Sequence, residues 1–267
     1  MPVLIVASQK DAAAQNIARQ IIARNKLSPA DSTGNLFLCR DVYLKFVEMD
    51  GLYTNNLGVN FKPEAAIFVS RHRSESNEPA LTVHWTGNAT GRADYGGSPK
   101  TLSLTDPPRL RSALLTLDEG RERERLGYAT TLEATHHGPT DLGVPTLFVE
   151  LGSTEREWND EKAAAVAAEA AWAAATKPTA GKLAVGFGGG HYCNKQTEAI
   201  RNNGYAFSHV FSKYFFQDYD PEIVRVAYKV TKGDCKTAVI DWKGMRGPDR
   251  AQLLETLNEM QTEIVRV

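Results

Sequence analysis

Cysteine is scarce and scattered. The 267-residue chain has three, Cys39, Cys193 and Cys235, with no C-x-x-C pair. An odd, widely spaced set argues against a disulfide framework or a thiolate zinc knuckle and suits a reducing cytoplasm. Long apolar runs are also missing: none approaches the roughly 18 residues that span a bilayer, so no membrane partner is expected. Nor does one sign of charge dominate. Lys and Arg total 31 against 32 acids, a net charge of −1, so any grip on a polyanion must come from a local patch. With 42% hydrophobic and 24% charged residues the composition is that of a folded protein, not a disordered one. Area scaling gives about 11,500 Å² of surface after folding, roughly a quarter of the extended chain's, so the core needs no metal or disulfide to hold it. The start, MPVLIVASQKD, lacks the cationic segment and cleavage site of a secretory signal and reads as a buried strand.

Strand and helix signals alternate along what is present. The apolar run 3–7 ends at Ser8, and Ser8 with Asp11 forms an S-x-x-D capping signature before a helix on which Ile17, Ile21 and Ile22 share a face. Residues 42–47 and 65–69 read as strands, the second covered on both faces. In 81–85, Leu81, Val83 and Trp85 face one way, Thr82 and His84 the other. Residues 87–108, rich in Gly, Pro, Asp and Ser, read as a long loop suited to contacting a substrate. Asp106-Pro107 opens a helix carrying Leu110, Leu114 and Leu117, and the alternating Arg and Glu of 121–125 are a solvated helix face. Strands at 145–151, 182–187 and 237–242, the β-rich run 205–211, an Ala-rich helix at 160–176 and helices led by Pro221 and Pro248 complete the pattern. No repeat or linker interrupts it. The expected architecture is α/β: one domain over 1–267, a mixed, largely parallel sheet flanked by helices, with a smaller lobe within 32–127.

In open α/β sheets ligands collect beyond the carboxyl ends of the strands, which gives weight to polar residues there. His72 follows one strand, His136 and His137 stand in Ala-Thr-His-His-Gly-Pro-Thr, Glu150 ends Leu-Phe-Val-Glu, and His191 ends Gly-Phe-Gly-Gly-Gly-His. A carboxylate at the end of an apolar strand costs several kcal/mol to bury alone, so Glu150 must be paired, protonated or coordinated. It is the candidate base or ligand. Imidazole and carboxylate donors suit a catalytic zinc centre with an open position, although no local motif such as H-E-x-x-H is present. The same residues also read as hydrogen-bonded structural histidines and, for Glu150, as half of an ion pair with an arginine. His84, on the polar face of its strand, and His209 stand outside the set. The glycine run fits neither the dinucleotide fingerprint nor the P-loop, but the amides of Gly188, Gly189 and Gly190 suit an oxyanion or phosphate beside His191. There is no G-x-S-x-G elbow, and nothing marks Cys193 as an activated thiolate, so covalent catalysis has no support.

Together these residues resemble the D-aminoacyl-tRNA deacylase family of archaea and plants. The likeness rests on Val-Ser-Arg-His-Arg-Ser at 69–74, Leu-Thr-Val-His at 81–84 with Thr-Gly-Asn at 86–88, Glu-Ala-Thr-His-His-Gly-Pro-Thr at 133–140, Phe-Val-Glu-Leu-Gly-Ser-Thr-Glu at 148–155 with Trp158, and Gly-Phe-Gly-Gly-Gly-His-Tyr at 186–192. It implies hydrolysis of the ester joining a D-amino acid to the terminal ribose of tRNA by zinc-assisted attack of water. The implied fold is phosphorylase/peptidyl-tRNA-hydrolase-like α/β, and a monomer is expected. Zinc would fall to some of His72, His136, His137, Glu150 and His191, and catalysis to Glu150, His136 and His191. Arg71, Arg73, Gly188, Gly189, Gly190 and Lys195 would contact substrate, with Arg92, Lys100 and Arg201 adding to the tRNA surface. The rivals are a zinc-dependent peptidase or amidohydrolase of similar design and a non-catalytic tRNA-binding module.

Overall fold

The computed structural model describes residues 1–267, with an accessible surface of 11775 Å². β1 (Val3–Ser8) is buried at every position and α1 (Ala12–Asn25) follows a tight turn. Asp11, not Ser8, caps that helix: its carboxylate accepts from the Ala14 N–H at 2.9 Å, while Ser8 Oγ accepts from the Lys10 N–H in the turn before. Asp11 is fixed there because its other oxygen accepts from the Arg71 N–H, also at 2.9 Å. Short β2 (Ser28–Pro29) and β3 (Leu36–Cys39) lead into β4 (Val42–Val47), β5 (Ala66–Arg71) and β6 (Ala80–Trp85). Inside the segment expected as a loop, β7 (Gly87–Asn88) and β8 (Thr101–Leu102) pair as an antiparallel ribbon. α2 (Pro107–Glu124) starts at its proline and ends on the mostly exposed Arg/Glu run. Then come β9 (Ala129–Leu132), β10 (Thr146–Gly152), α3 (Glu155–Trp158) and α4 (Glu161–Thr176), followed by β11 (Lys182–Phe187), α5 (Asn194–Asn203) and β12 (Tyr205–Phe211). α6 (Pro221–Lys229), β13 (Thr237–Ile240), α7 (Gly247–Glu259) and β14 (Glu263–Arg266) close the chain.

The large sheet has the order β2-β3-β4-β1-β5-β10-β6-β9. β2/β3, β3/β4 and β6/β10 run antiparallel and its other pairs parallel. This is the α/β class and mixed sheet expected, with residues 36–85 supplying β3 to β6. The C-terminal strands form a second, wholly parallel sheet, β12-β11-β13-β14, instead of extending the first. The patterning did not distinguish one sheet from two, and it missed β14. α4 packs against α1, α2 and β10, and its many buried alanines let these elements approach closely. One apolar cluster joins these helices to both sheets, taking in Ile67, Val149, Leu114, Phe207 and Val239.

Polar bonds lock the sheets together. Trp85 Nε1–H donates to the Phe207 carbonyl at 3.0 Å, and Thr135 N–H donates to the Val210 carbonyl at 2.8 Å. Between them lies His209, fully buried, with Nε2 3.0 Å from the Ser103 carbonyl and Nδ1 3.0 Å from Thr135 Oγ1. A carbonyl only accepts, so Nε2 carries the proton and the threonine hydroxyl donates to Nδ1. Burial, against the Ser103 bond, pushes His209 down to about 4. An unfolded histidine titrates near 6.5, so between that pH and 4 the unfolded chain binds a proton the folded one refuses, and stability falls as pH falls. Urea denaturation at pH 7 and pH 5 should therefore show wild type losing about 2 kcal/mol more than His209→Gln over that interval. Equal losses would show that His209 is not the group responsible.

Candidate active site

Strand register builds the centre of the site. β5 and β10 pair with Ser70 beside Glu150, and β6 pairs antiparallel with β10 so that Thr82 stands on the other side. In-register neighbours share a face. Both hydroxyls consequently reach the buried carboxylate: Ser70 Oγ donates to Oε1 at 2.8 Å and Thr82 Oγ1 to Oε2 at 3.3 Å. His84, two residues on along the same face of β6, brings Nε2 to 3.7 Å from Oε1. His72, just past β5, sets Nδ1 3.4 Å from Oε2 and Nε2 2.8 Å from the Tyr192 hydroxyl. Its backbone is held by Trp158 Nε1–H, which donates to the His72 carbonyl at 3.0 Å, and by Gly152, where a Cβ would collide with that carbonyl.

β9 runs parallel to β6, and the residue past its end, Glu133, donates its N–H to the Val83 carbonyl and comes level with His84. Glu133 Oε1 lies 3.3 Å from both His72 Nδ1 and His191 Nε2, and Oε2 lies 4.0 Å from His84 Nε2. None of these has the alignment of a hydrogen bond: both Glu133 oxygens and His84 Nε2 are buried without a partner. The chain then crosses to the second sheet, Ala134 N–H donating to the His191 carbonyl at 2.8 Å, and delivers His136 and His137. Ring centroids are 4.2 Å apart for His84 and His136, 4.8 Å for His84 and His137, and 4.7 Å for His136 and His191. His84, His136 and His137 each turn Nδ1 to a backbone carbonyl, at 3.2, 2.8 and 2.6 Å. In the neutral ring Nδ1 therefore carries the proton, and the Nε2 lone pair is free, the second-shell arrangement usual for a metal-ligating histidine.

Two kinds of imidazole result. Burial pulls His72 down, but Glu150 and Glu133 outweigh it and raise the group to about 10. His84 is raised on the same balance. Glu150, which burial alone would raise, is held well below the usual carboxylate range by His72 and His84. Glu133 is lowered against burial by His191 and His72. His136 and His137 go the other way: burial and then neighbouring imidazoles push them down, His137 to about 4. Neutral nitrogens and buried carboxylates thus share one cluster. Each of three groups, His84/His136/His137, Glu133/His136/His191 and His72/Glu133/Glu150, places one ligand atom per residue within 4.8 Å of the others. That donor set fits a metal ion, and the unpartnered atoms of Glu133 and His84 are those a cation would satisfy.

The structure brings together all five imidazole and carboxylate candidates, His72, His136, His137, Glu150 and His191, and adds His84, Glu133, Tyr192, Ser70 and Thr82. The parity of 81–85 had set His84 opposite the apolar face, and Glu133 stood in the His-His block, but neither had a visible partner. The cations fare differently. Arg71 turns away to Asp50 Oδ2 at 2.9 Å, Lys100 pairs with Asp220 at 2.9 Å, and Arg201 clamps Asp118 at 2.7 Å and the Thr130 carbonyl at 3.0 Å. Arg92 holds Asp94 at 2.9 Å yet stays exposed; Arg73, over the Trp158 ring at 5.9 Å, and Lys195, on the first turn of α5, are also exposed. The glycine expectation needs correcting: Gly188 N–H donates to the Phe211 carbonyl at 2.8 Å and Gly189 N–H to the Gly244 carbonyl at 3.2 Å, because the turn packs on its neighbours. Only the Gly190 amide has no protein acceptor. Burial raises the Cys193 thiol well above its ordinary value, which keeps it from being a thiolate.

The D-aminoacyl-tRNA deacylase family profile matches residues 59–265. The chain belongs to the D-aminoacyl-tRNA deacylase family. The D-aminoacyl-tRNA deacylase of Methanosarcina acetivorans is 34% identical over 276 residues, covering 99% of this chain and 92% of that relative. That of Pyrococcus furiosus is 34% identical over 272 residues, covering 98% and 99%. A solved crystal structure of a conserved protein of unknown function has a TM-score of 0.90 at 31% identity, covering 99% of this chain and 95% of the other. Each of the five deacylase-like sequence blocks supplies at least one side chain to the cluster.

If a cation satisfies these atoms, a divalent transition metal at about 100 times its dissociation constant should add about 2.7 kcal/mol of stability. Glu133→Gln should lose most of that increment. Thermal unfolding of both proteins, with metal and with chelator, measures it; equal increments would remove Glu133 from the ligand set.

Proposed function

We propose that the protein hydrolyses the ester between a D-amino acid and the terminal ribose of tRNA, releasing free D-amino acid and tRNA, with zinc as the cation of the cluster. Family membership supports the substrate. The observation that carries the chemistry is the buried Glu133 carboxylate, which faces His84 and His191 yet has no hydrogen-bond partner on either oxygen. Imidazole nitrogen with carboxylate oxygen is a zinc-like donor set, and His84, His136, His137 and Glu133 would hold the ion, with His191, His72 and Glu150 adjoining. When bound, zinc supplies Lewis acidity, polarising an acyl carbonyl and lowering the pKa of water to about 7.

The protein's own groups do the rest. Glu150, kept strongly acidic by its imidazole neighbours, is a poor proton acceptor and serves to fix His72 and His84. His191, with 45% of its side chain exposed, is the imidazole at the mouth and moves the proton at Nε2. Tyr192 positions His72, and the Gly190 amide faces the developing oxyanion. Arg73 and Lys195, exposed nearby, meet phosphates. A single α/β unit acting as a monomer belongs to this reading. The three free thiols support a reducing cytoplasm, where removal of D-amino acids from tRNA is quality control ahead of translation.

Deacylation of matched D- and L-tyrosyl-tRNA tests this directly. The D-ester should be hydrolysed faster, chelator should abolish turnover and zinc restore it. Glu150→Gln should lower kcat/KM about 10- to 100-fold, and His191→Ala about 100-fold or more. Turnover indifferent to chelation rules out zinc. Cleavage of a dipeptide without action on charged tRNA makes the protein a peptidase, and tRNA binding without turnover makes it a binding module.

A further inference from the structure

Of nine tyrosines, ten phenylalanines and four tryptophans, only Tyr53, Tyr95 and Tyr214 are exposed, at 49%, 65% and 54%. A single exposed aromatic is unremarkable. These three lie together. Tyr95 and Tyr214 line a cleft of about 290 Å³ whose inner wall is His136 and His137 and whose rim carries Arg92. That volume is near the lower bound of about 300 Å³ for small-ligand clefts. Tyr53 stands beside it, its ring against Gly96.

The cleft is held rigid. The 89–100 excursion is tied to the segment after β12 by Gly91 N–H to Asp218 Oδ2 at 2.9 Å and by Lys100 to Asp220 at 2.9 Å. Gly138 N–H donates to the Tyr95 carbonyl at 3.0 Å, and Asn88 Nδ2–H to the Gly96 carbonyl at 2.8 Å. Gly96, at φ +78°, lies against the Leu52 carbonyl so closely that a Cβ would collide with it, which pulls the Tyr53, Tyr95 and His137 turns into one unit. Lys213 Nζ stands 5.3 Å over the Tyr214 ring, so a second cation besides Arg92 lies next to the cleft.

We propose that this cleft receives the unpaired terminal bases of an RNA substrate, the last base stacked on Tyr214 and Tyr95 and the one before it near Tyr53. The proposal rests on the preceding reading of the substrate and adds the subsite that places it. Stacking on an aromatic face is how unpaired bases are held without reading their sequence. A base belongs to a chain that must leave toward solvent past its phosphates, which suits an open cleft with cations beside it. An amino-acid side chain ends inside its pocket and needs neither. With the base against Tyr95 and Tyr214, its ribose lies toward His136 and His137, where the ester must be.

The probe is an uncharged tRNA acceptor minihelix with 2-aminopurine as its last base, whose fluorescence is quenched on stacking. Wild type should quench it. Tyr95→Ala and Tyr214→Ala should each weaken binding about 5- to 150-fold, and Tyr→Phe at either position should restore binding and quenching. With charged tRNA, KM should rise by a like factor and more than kcat falls, equally for D-tyrosyl and D-alanyl esters. A defect confined to the D-tyrosyl ester would give the cleft to the amino-acid side chain and overturn the proposal. So would quenching retained by the double alanine variant, whether or not the protein turns over tRNA. Absence of deacylation by wild type would instead refute the substrate reading, with the 2-aminopurine signal still deciding this one.

Discussion

A carboxylate buried at the end of an apolar strand must find partners, and the arrangement around Glu150 follows from that need. Uncompensated, its charge would cost several kcal/mol. Two hydroxyls in register and two imidazoles within 3.4 and 3.7 Å hold it ionised. With Thr82 level with Glu150, only an antiparallel β6 carries His84 back over Phe148, whereas a parallel strand would set it level with Gly152. The reversed strand in a mostly parallel neighbourhood is thus tied to the site.

The second carboxylate has no such solution within the protein. Glu133 sits as deep as Glu150 but finds only misaligned imidazoles, and the contrast separates a satisfied carboxylate from one left without a partner. Backbone carbonyls that take Nδ1 of His84, His136 and His137 leave the opposite nitrogens free at little conformational cost. The cluster lies at the seam between the sheets, where Trp85 bonds Phe207 and residues 134–135 bond 191 and 210. Packing of the two sheets therefore sets the separation of His136 from His191.

Elements whose signals are local were legible in the chain. Pro107 and Pro221 open helices as expected, and 182–187 is a strand at the expected bounds. The cap at Ser8 was misplaced because Asp11 is fixed by Arg71, 60 residues away. His72, His136, His137, Glu150 and His191 were legible as polar residues at strand ends. His84 and Glu133 were not, because each looks ordinary until its neighbour across the sheet is known.

Sequence alone determined which residue types stand at the strand ends, how the apolar faces alternate and, through five short blocks, the family. Tertiary structure decided which cations are already paired, which glycine amides are already bonded and which imidazole nitrogens are free. The reason is physical. Ser70 meets Glu150 across 80 positions of chain, and a charge or donor has no defined partner until strand register brings distant segments within about 3 Å.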